Sequence, residues 1–325
     1  MWAHNKKPEA IIGGNPGSTL REDRPLSITA IILAYNEEIH IARCLSRIAP
    51  LVQRIVVVDS YSNDRTVDLA RQFGAEVLQN RWRNYADQFD WAIRQACPDT
   101  DWILRLDCDE YLEEKTQNEL RSILPKLPEN VTGLEFRLKV IFRGRHIRFG
   151  RYYSTWLLRL WRTGSGEIER RWMDEHIILK NGKAIRLRGG DLVDHNLNDI
   201  GWWIEKHNQY ATRHMIEFIN KQYPLFAEDK RLIVSKTSAW VARFLKVYIY
   251  GRSPLYLRAV LFFFYRYFVR LGFLDGKVGF LFHFMHGFWL YMLIDAKIDE
   301  ARRYISENGL DAFKDRLRSR YKIEL

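Results

Sequence analysis

Three apolar runs that stop abruptly at acidic or amide residues constrain the fold of this chain more than any other feature. SITAIILA (27–34) runs into Tyr35, Asn36, Glu37 and Glu38. RIVVVDS (54–60) ends at Asp59 and Ser60, with Ser62 and Asp64 beyond, and WILRLDCDEYL (102–112) ends at Asp107, Asp109 and Glu110. Short, continuously apolar runs rich in β-branched residues read as strands buried on both faces. Between them lie segments of helical period: YNEEIHIARCLSRI, with Ile39, Ala42, Leu45, Ile48 and Ala49 on one side, RTVDLARQFG (65–74), closing at Gly74, and RNYADQFDWAIRQA (83–96). A short strand, AEVLQ, follows Gly74. Repeated strand–helix units predict an α/β fold with a mostly parallel sheet and helices on both faces. In such sheets ligands bind beyond the carboxyl ends of the strands, and that is where these acids collect.

Three carboxylates at the mouth of a buried strand repel one another and resist desolvation. Either they are turn and cap residues, a role Asp and Asn commonly fill, or a cation offsets the cost. For Asp64 the two readings stand level. For Asp107 and Asp109, set between an apolar strand and the helical EEKTQNELRSIL, the cation reading is the stronger. An Asp-x-Asp on an extended turn offers oxygen ligands to Mg²⁺ or Mn²⁺, which prefer a few carboxylates completed by phosphate oxygens. Such a cation would also stabilise a diphosphate leaving group as charge builds on it.

SITAIILAYNEEIHIARCL, RIVVVDSYSNDRTVDLA and WILRLDCDEYL, in this order and spacing, together resemble the family 2 glycosyltransferases of GT-A fold over roughly residues 27–180. RWMDEHIIL, WWIEKHNQYATRHMIEF and LGFLDGKVGFLFHFMHGFWLYMLIDAKI are similar to the bacterial members that build lipopolysaccharide core, capsule or exopolysaccharide, which carries the resemblance to about residue 300. The resemblance implies an inverting, metal-dependent hexosyltransferase using Mn²⁺ or Mg²⁺. Asp59 would meet the base or ribose of a nucleotide-sugar donor, a UDP-sugar first among the choices, with Tyr35, Asn36 and Glu38 lining the same pocket. Asp107 would lie by ribose and metal, and Asp109 would ligate the metal directly; His195 of LVDHNLND either completes the shell, as a His does in some relatives, or has the structural role more usual for a lone His. In MDEH (173–176) Glu175 is the first candidate for the base that deprotonates the acceptor hydroxyl, and Asp174 the second. The chain departs from many relatives in the helix before the D-x-D strand, where Gln88 and Asp90 stand. Diphosphate contacts there would pass to Arg81 and Arg83. The middle residue of the D-x-D, Cys108, reads as a small buried hydrophobe.

From Thr132 to Gly164 apolar and basic residues alternate, as in strands with one wet face, and Arg148, Arg151 and above all Arg159 are candidates to meet a diphosphate. IGWWIEKHNQYATRHMIEFINKQY (200–223) reads as a helix whose Trp202 and Trp203 either stack on an acceptor sugar or pack on the sheet domain, packing being the favoured reading. The chain then changes character. Its net charge is +11, and nine basic residues between Lys230 and Leu274, with no acid among them, leave only +2 for the rest. Arg258, Arg266 and Arg270 interrupt residues 253–274, and a central Arg costs roughly 2.5–3.5 kcal/mol in a spanning helix. VGFLFHFMHGFWLYMLI (278–294) has no formal charge, but its 17 residues fall short of the ~20 that span a bilayer. Basic residues interleaved with aromatics fit helices lying in the interface of an anionic membrane. A helical subdomain with its aromatics packed inward is the alternative.

The expected organisation is a flexible lead-in (1–26), a GT-A catalytic domain (27–199) and a helical, basic, aromatic region (200–325) that associates with membrane. The expected acceptor is a polyprenyl-diphosphate-linked or lipid-anchored glycan at the cytoplasmic face of a bacterial inner membrane, the protein being peripheral or monotopic. Three cysteines without C-x-x-C spacing argue against a disulfide framework or zinc knuckle, and the first residues lack a signal peptide's basic start and apolar core. Nucleic-acid binding by the basic aromatic region is a second reading. Phe262–Phe263–Phe264 is too apolar for such a surface in water, so no nucleic-acid partner is expected. A sugar-nucleotide pyrophosphorylase would need a Gly-rich, basic loop after the first strand, where this chain has LAYNEE.

Overall fold

The computed structural model describes residues 24–173, 175–226 and 254–323. The lead-in up to residue 23 and six of the nine basic residues (Lys230, Arg231, Lys236, Arg243, Lys246 and Arg252) lie outside the described residues.

The strand–helix alternation read from sequence is present. Strands β1 (Leu26–Ala34), β2 (Val52–Asp59), β3 (Glu76–Gln79) and β4 (Trp102–Asp107) form a parallel sheet in the order β3-β2-β1-β4. Register pairs Ala34 with Asp59 and Leu33 with Asp107, so three acid-bearing strand ends stop at one level. Beyond β4 the sheet is mixed. Strand β8 (Trp156–Arg162) runs antiparallel between β4 and β6 (Val131–Phe142), and β11 (Lys183–Asp194) runs parallel to β6. The short β5 (Glu110–Leu112) pairs antiparallel with the end of β11 and sets Glu110 opposite Asp194.

Helices cover both faces. Helix α1 (Ile41–Ile48) buries Ile41, Cys44, Leu45 and Ile48, the stripe that a 3.6-residue period predicts. It starts later than the sequence pattern suggests, because the N–H groups of Glu37 and Glu38 donate to Thr66 Oγ1 (2.7 Å) and Asp64 Oδ2 (3.1 Å). Residues 37–40 are therefore a turn. Helix α2 (Thr66–Gln72) ends before Gly74, whose φ of +75° suits a residue without Cβ. Helix α3 (Tyr85–Ala96) is capped by Asn84, whose side chain accepts the Asp87 N–H at 2.8 Å. It packs Ala86, Phe89 and Ala92 on the face of the sheet that carries Ile31, Val56 and Val58, while Ile28, Ile32, Val57 and Leu104 fill the other core with α1 and α4 (Glu114–Ile123). Each fully buried Ile, Leu or Phe contributes roughly 1.5–3 kcal/mol.

Past β11, helix α5 (Ile200–Asn220) packs against the helix Leu290–Asn308, through Met215, Ile216 and Ile219 against Ile294, Ile298 and Ile305. A helical hairpin precedes that contact, from Leu257 through the turn Gly272–Asp275 to Trp289. Phe282 and Met285 of the hairpin join Phe142, Ile147, Tyr152 and Trp203 in a separate core that ties it to the catalytic sheet. The continuous helix Gly272–Asn308 is long and apolar enough to cross a membrane, with a mean hydropathy of 1.2 in its best window and 44% of that window buried.

The three described basic residues of the stretch, Arg258, Arg266 and Arg270, have different surroundings. Arg258 is buried at 3% exposure and forms an ion pair with Asp295, itself fully buried, which also accepts the Tyr256 N–H at 2.7 Å. Arg266 donates to the Gly150 carbonyl at 2.7 Å and lies 3.6 Å above the Tyr152 ring. Arg270 is exposed. The turn Tyr265–Val269 that carries Arg266 is π-helical.

Candidate active site

At the ends of β1 and β2, Asp59 is fully buried and organises the loop above it. Its carboxylate accepts from Ser62 Oγ at 2.5 Å, the Ser62 N–H at 3.0 Å and Gln79 Nε2 at 3.0 Å. Ser62 Oγ in turn accepts the Asn36 N–H at 2.8 Å, and Asn36 Oδ1 accepts the Asn63 N–H at 3.0 Å. Asn36 holds a left-handed φ of 55°, which leaves Tyr35 projecting at 58% exposure over the cleft mouth. Glu38 accepts the Arg65 N–H at 3.2 Å. Tyr35, Asn36, Glu38 and Asp59 are thus brought together. Asp64 takes the plainer of its two roles: bonds from Thr66 and Glu38 hold its carboxyl below the usual range despite some burial.

The second half of the site is a charge network under Asp107. Tyr85 of α3 donates its hydroxyl to Asp107 Oδ1, and Arg105 Nε donates to the same hydroxyl at 2.9 Å while its guanidinium stacks 4.2 Å from the Tyr85 ring. Arg105 Nη1 also reaches the Glu175 carbonyl at 3.4 Å, tying the segment that carries the candidate base to the Tyr85–Asp107 pair. Asp174 lies outside the described residues. Arg159 is buried at 8% exposure, with Nη2 2.6 Å from Glu110 Oε1 and 3.4 Å from Asp107 Oδ2. The sequence made Arg159 a diphosphate contact; in the structure it neutralises the acids from beneath. Burial raises the carboxyl of Asp107, but Arg159, Arg105 and the Tyr85 hydroxyl outweigh it and hold the group below its ordinary range. Glu110, more deeply enclosed, is pushed up to about 7 by burial despite Arg159.

Asp109 is half-buried and accepts from Asn196 Nδ2 at 3.0 Å. Burial first, then repulsion from Asp109 and Glu110, drives Asp194 well above the carboxylate range. Lys206 of α5 supplies part of the balance: Tyr210, Asp109, Glu37 and Asp107 together overcome its burial and keep the ammonium protonated. Two neighbouring aspartates fit a hard divalent cation that completes its shell with water and phosphate oxygens. His195 has a different partner from the one expected. Its Nδ1 faces Arg43 Nη1 at 3.2 Å, and burial followed by Arg43 lowers its pKa. Among the described residues no three His, Cys, Asp or Glu side chains converge as a metal cage. Arg83 is exposed and pairs with Asp87 at 3.2 Å, beside a cavity of about 360 Å³ that Arg81, Gln88 and Arg94 also line. Gln88 itself is buried, bonded to Ser60 and Asn80.

Sequence reasoning passed over Tyr85, Arg105, Asp194, Arg43 and Lys206. Arg105 carried a signal, a charge inside the apolar run WILRLD, and Asp194 another, an acid at the end of a strand beside His195. The remaining three sit on helices, where a Tyr, Arg or Lys is unremarkable until the fold brings it to the strand ends.

Residues 29–165 match the model of the family described as Glycosyl transferase family 2. Over 127 residues the chain is 33% identical to an uncharacterized glycosyltransferase of Rickettsia felis, a stretch that is 39% of this chain and 44% of that protein. The chain therefore spans less than half the length of that relative. With the lipopolysaccharide core biosynthesis glycosyltransferase LpsC of Rhizobium meliloti it shares 26% identity over 195 residues, 58% of this chain and 70% of that protein. Among solved structures, glucosyl-3-phosphoglycerate synthase from Mycobacterium tuberculosis, in complex with Mn²⁺, UDP and glucosyl-3-phosphoglycerate, aligns at a TM-score of 0.28 and 23% identity, covering 41% of this chain and 51% of that one. Mannosyl-3-phosphoglycerate synthase from Rubrobacter xylanophilus aligns at 0.30 and 20%, covering 36% and 40%.

Proposed function

We propose that this chain, whose residues 29–165 are a family 2 glycosyltransferase domain, moves a sugar from a nucleotide-sugar donor to a lipid-linked or lipopolysaccharide-type glycan, with inversion at the sugar carbon. One observation carries the reading. Three parallel strands end at one level with Asn36 and Glu38, Asp59, and Asp107 with Asp109, and the Glu175 segment is tied to that cluster through Arg105 and Tyr85.

In this reading the loop ordered by Asp59, with Tyr35 and Asn36, holds the nucleoside. Asp109 and Asp107 would hold Mn²⁺ or Mg²⁺, which supplies charge neutralisation to a nucleoside diphosphate as it leaves. Arg159 and Arg105 fix Asp107, and Lys206 sits where it can balance the same acids. Glu175 takes the proton of the acceptor hydroxyl as that oxygen bonds to C1 of the sugar and the C1–O bond to the diphosphate breaks. General-base help of this kind is typically worth ~10²–10⁴-fold.

The surface supports the acceptor class in this reading. Of the 20 exposed large hydrophobic residues among the described ones, 13 fall between Tyr256 and Phe284, on the helical hairpin. Apolar exposure of that extent marks a partner, and an anionic membrane holding a lipid-borne acceptor is the one we assign, at the cytoplasmic face where nucleotide sugars are made.

The reading is tested by calorimetric titration of UDP, GDP and dTDP, with and without Mn²⁺, into the native protein and Asp109→Asn. Metal-dependent binding of one nucleotide, lost in the variant, is the expected result. Equal binding by both proteins without metal would remove Asp107 and Asp109 from the mechanism.

A further inference from the structure

A cavity of about 380 Å³ lies between the loop that precedes β8 and the turn that closes the first arm of the helical hairpin. Arg148, Arg151, Ser154, Val269, Arg270 and Leu271 line it. Its size falls at the lower end of small-molecule sites. We propose that this cavity binds the phosphate group of a membrane lipid whose acyl or prenyl chains lie along the apolar face beside it. The proposal rests on the membrane-borne acceptor assigned above and names where on the protein such a lipid is gripped.

The charge of the cavity is one-sided. Arg148, Arg151 and Arg270 are all exposed, and among the described residues no carboxylate pairs with any of them; Arg148 Nε has only His146 Nδ1 at 3.3 Å. Between Phe136 and Gly166 the sequence has eight basic residues and no Asp or Glu. Asp275, packed beneath the loop, is engaged elsewhere: its two oxygens accept the N–H groups of Arg148 and Phe149 at 3.1 and 3.0 Å, and His283 Nε2 lies 3.7 Å away. Three exposed arginines around one cavity, none paired with a carboxylate, suit an anion, and the planar guanidinium fork suits phosphate oxygens.

The site is also rigid. The Gly150 N–H donates to the Arg270 carbonyl at 3.0 Å, and Arg266 Nε donates to the Gly150 carbonyl at 2.7 Å, so loop and turn are stitched together between the arginines that line the cavity. A Cβ on Gly150 would lie 2.1 Å from His283 Cε1, which leaves the loop no alternative seat. Arg151 and Leu271 both adopt left-handed backbone, φ 72° and 59°, although neither is glycine. Such conformations persist where the surroundings impose them, and they cluster at ligand clamps.

The rim decides between a soluble anion and a lipid. Phe268, Val269, Leu271, Phe273 and Leu274 are 43–59% exposed next to the arginines. A basic cavity bordered by an apolar shelf matches the boundary between headgroups and acyl chains; a soluble phosphate has no use for the shelf.

The test is sedimentation of the full-length protein with phosphatidylcholine vesicles made anionic in two ways at matched surface potential, by phosphatidylglycerol and by oleate. The native protein is expected to partition at least tenfold more strongly onto the phosphate-bearing vesicles, and the variant Arg148→Gln/Arg151→Gly/Arg270→Gln is expected to lose that preference. Because the first arm uses native protein alone, misfolding of the variant leaves the proposal open to refutation. Equal partition of native protein onto both vesicle types, or an undiminished preference in a folded variant, overturns the cavity while leaving membrane association intact. Failure to sediment with any vesicle overturns the membrane reading and the cavity with it.

Discussion

His207 of α5 makes acid stability a direct readout of how the helical layer is seated. Its ring lies 3.4 Å from the Trp203 indole at 18°, its Nδ1 faces the Trp203 carbonyl at 2.8 Å, and the residue is 8% exposed. The carbonyl fixes a proton on Nδ1. Burial lowers its pKa to about 4, with Lys206 adding to the shift and the Trp203 carbonyl opposing it. An unfolded histidine titrates near 6.5. Between those values the unfolded chain binds a proton that the folded one does not, so stability falls as pH drops. The contribution is fully present above about pH 6.5 and is lost by about pH 4. A shift of roughly 2.5 units amounts to ~3 kcal/mol, at 1.36 kcal/mol per unit. His207→Phe keeps a flat ring against Trp203 and abolishes the titration. Urea unfolding of both proteins at half-unit steps from pH 4 to 8 isolates the term, because the other groups titrate in both. The native protein should lose ~3 kcal/mol relative to the variant on going from pH 7 to 4. A difference constant to within ~0.5 kcal/mol, or one of opposite sign, would mean that the folded protein accommodates a charged His207, and the seating of α5 described here would be wrong.

Asp295→Ala leaves the Arg258 guanidinium buried without its ion-pair partner and should cost ~3–5 kcal/mol in denaturant unfolding; a loss under ~1 kcal/mol would return Arg258 to the surface. Tyr85→Phe removes the hydroxyl that links Arg105 to Asp107, a charged hydrogen bond worth ~1.5–3 kcal/mol. Nucleotide affinity in the presence of Mn²⁺ should drop ~10–100-fold, and unchanged affinity would detach Asp107 from the donor site. Glu175→Gln should lower kcat by ~10²–10⁴-fold with donor binding by calorimetry unchanged, whereas a variant of native turnover would pass the base to another group.

The parallel half of the sheet was legible because burial on both faces leaves a strand no polar position: SITAIILA and RIVVVD could be read without a partner in hand. The mixed half was not. The insertion of β8 between β4 and β6 depends on pairings such as Leu104 with Leu160, made across more than fifty residues and invisible to local periodicity. The same limit explains the candidate site. Asp59, Asp107 and Asp109 announced themselves as acids after apolar runs, while Tyr85 and Lys206 matter only through neighbours supplied by the fold. Arg258 failed in the opposite direction. Counted along the chain, it belonged to an acid-free basic stretch; its acid, Asp295, lies 37 residues on and across the hairpin.

On the proposed function, the charge network makes the helical layer a contributor to the active site through Lys206. Asp107, Asp109, Glu110 and Asp194 crowd the strand ends, and the sheet domain answers with Arg159 and Arg105 from below. Lys206 answers from above, on α5, and α5 is held by the helix Leu290–Asn308 and the Trp203–His207 stack. The hairpin that exposes the apolar face leads directly into that same helix and grips the Gly150 loop through Arg266 and Asp275. Two packed routes therefore connect the hairpin to the acids, one through α5 and Lys206 and one through the loop before β8. Gly150→Ala tests the second route, since its Cβ would collide with His283. With the catalytic residues intact, it should reduce turnover on a membrane-borne acceptor while leaving nucleotide binding by calorimetry unchanged. Loss of nucleotide binding in a folded Gly150→Ala protein would place that loop in the donor site, and full turnover would uncouple the hairpin from catalysis.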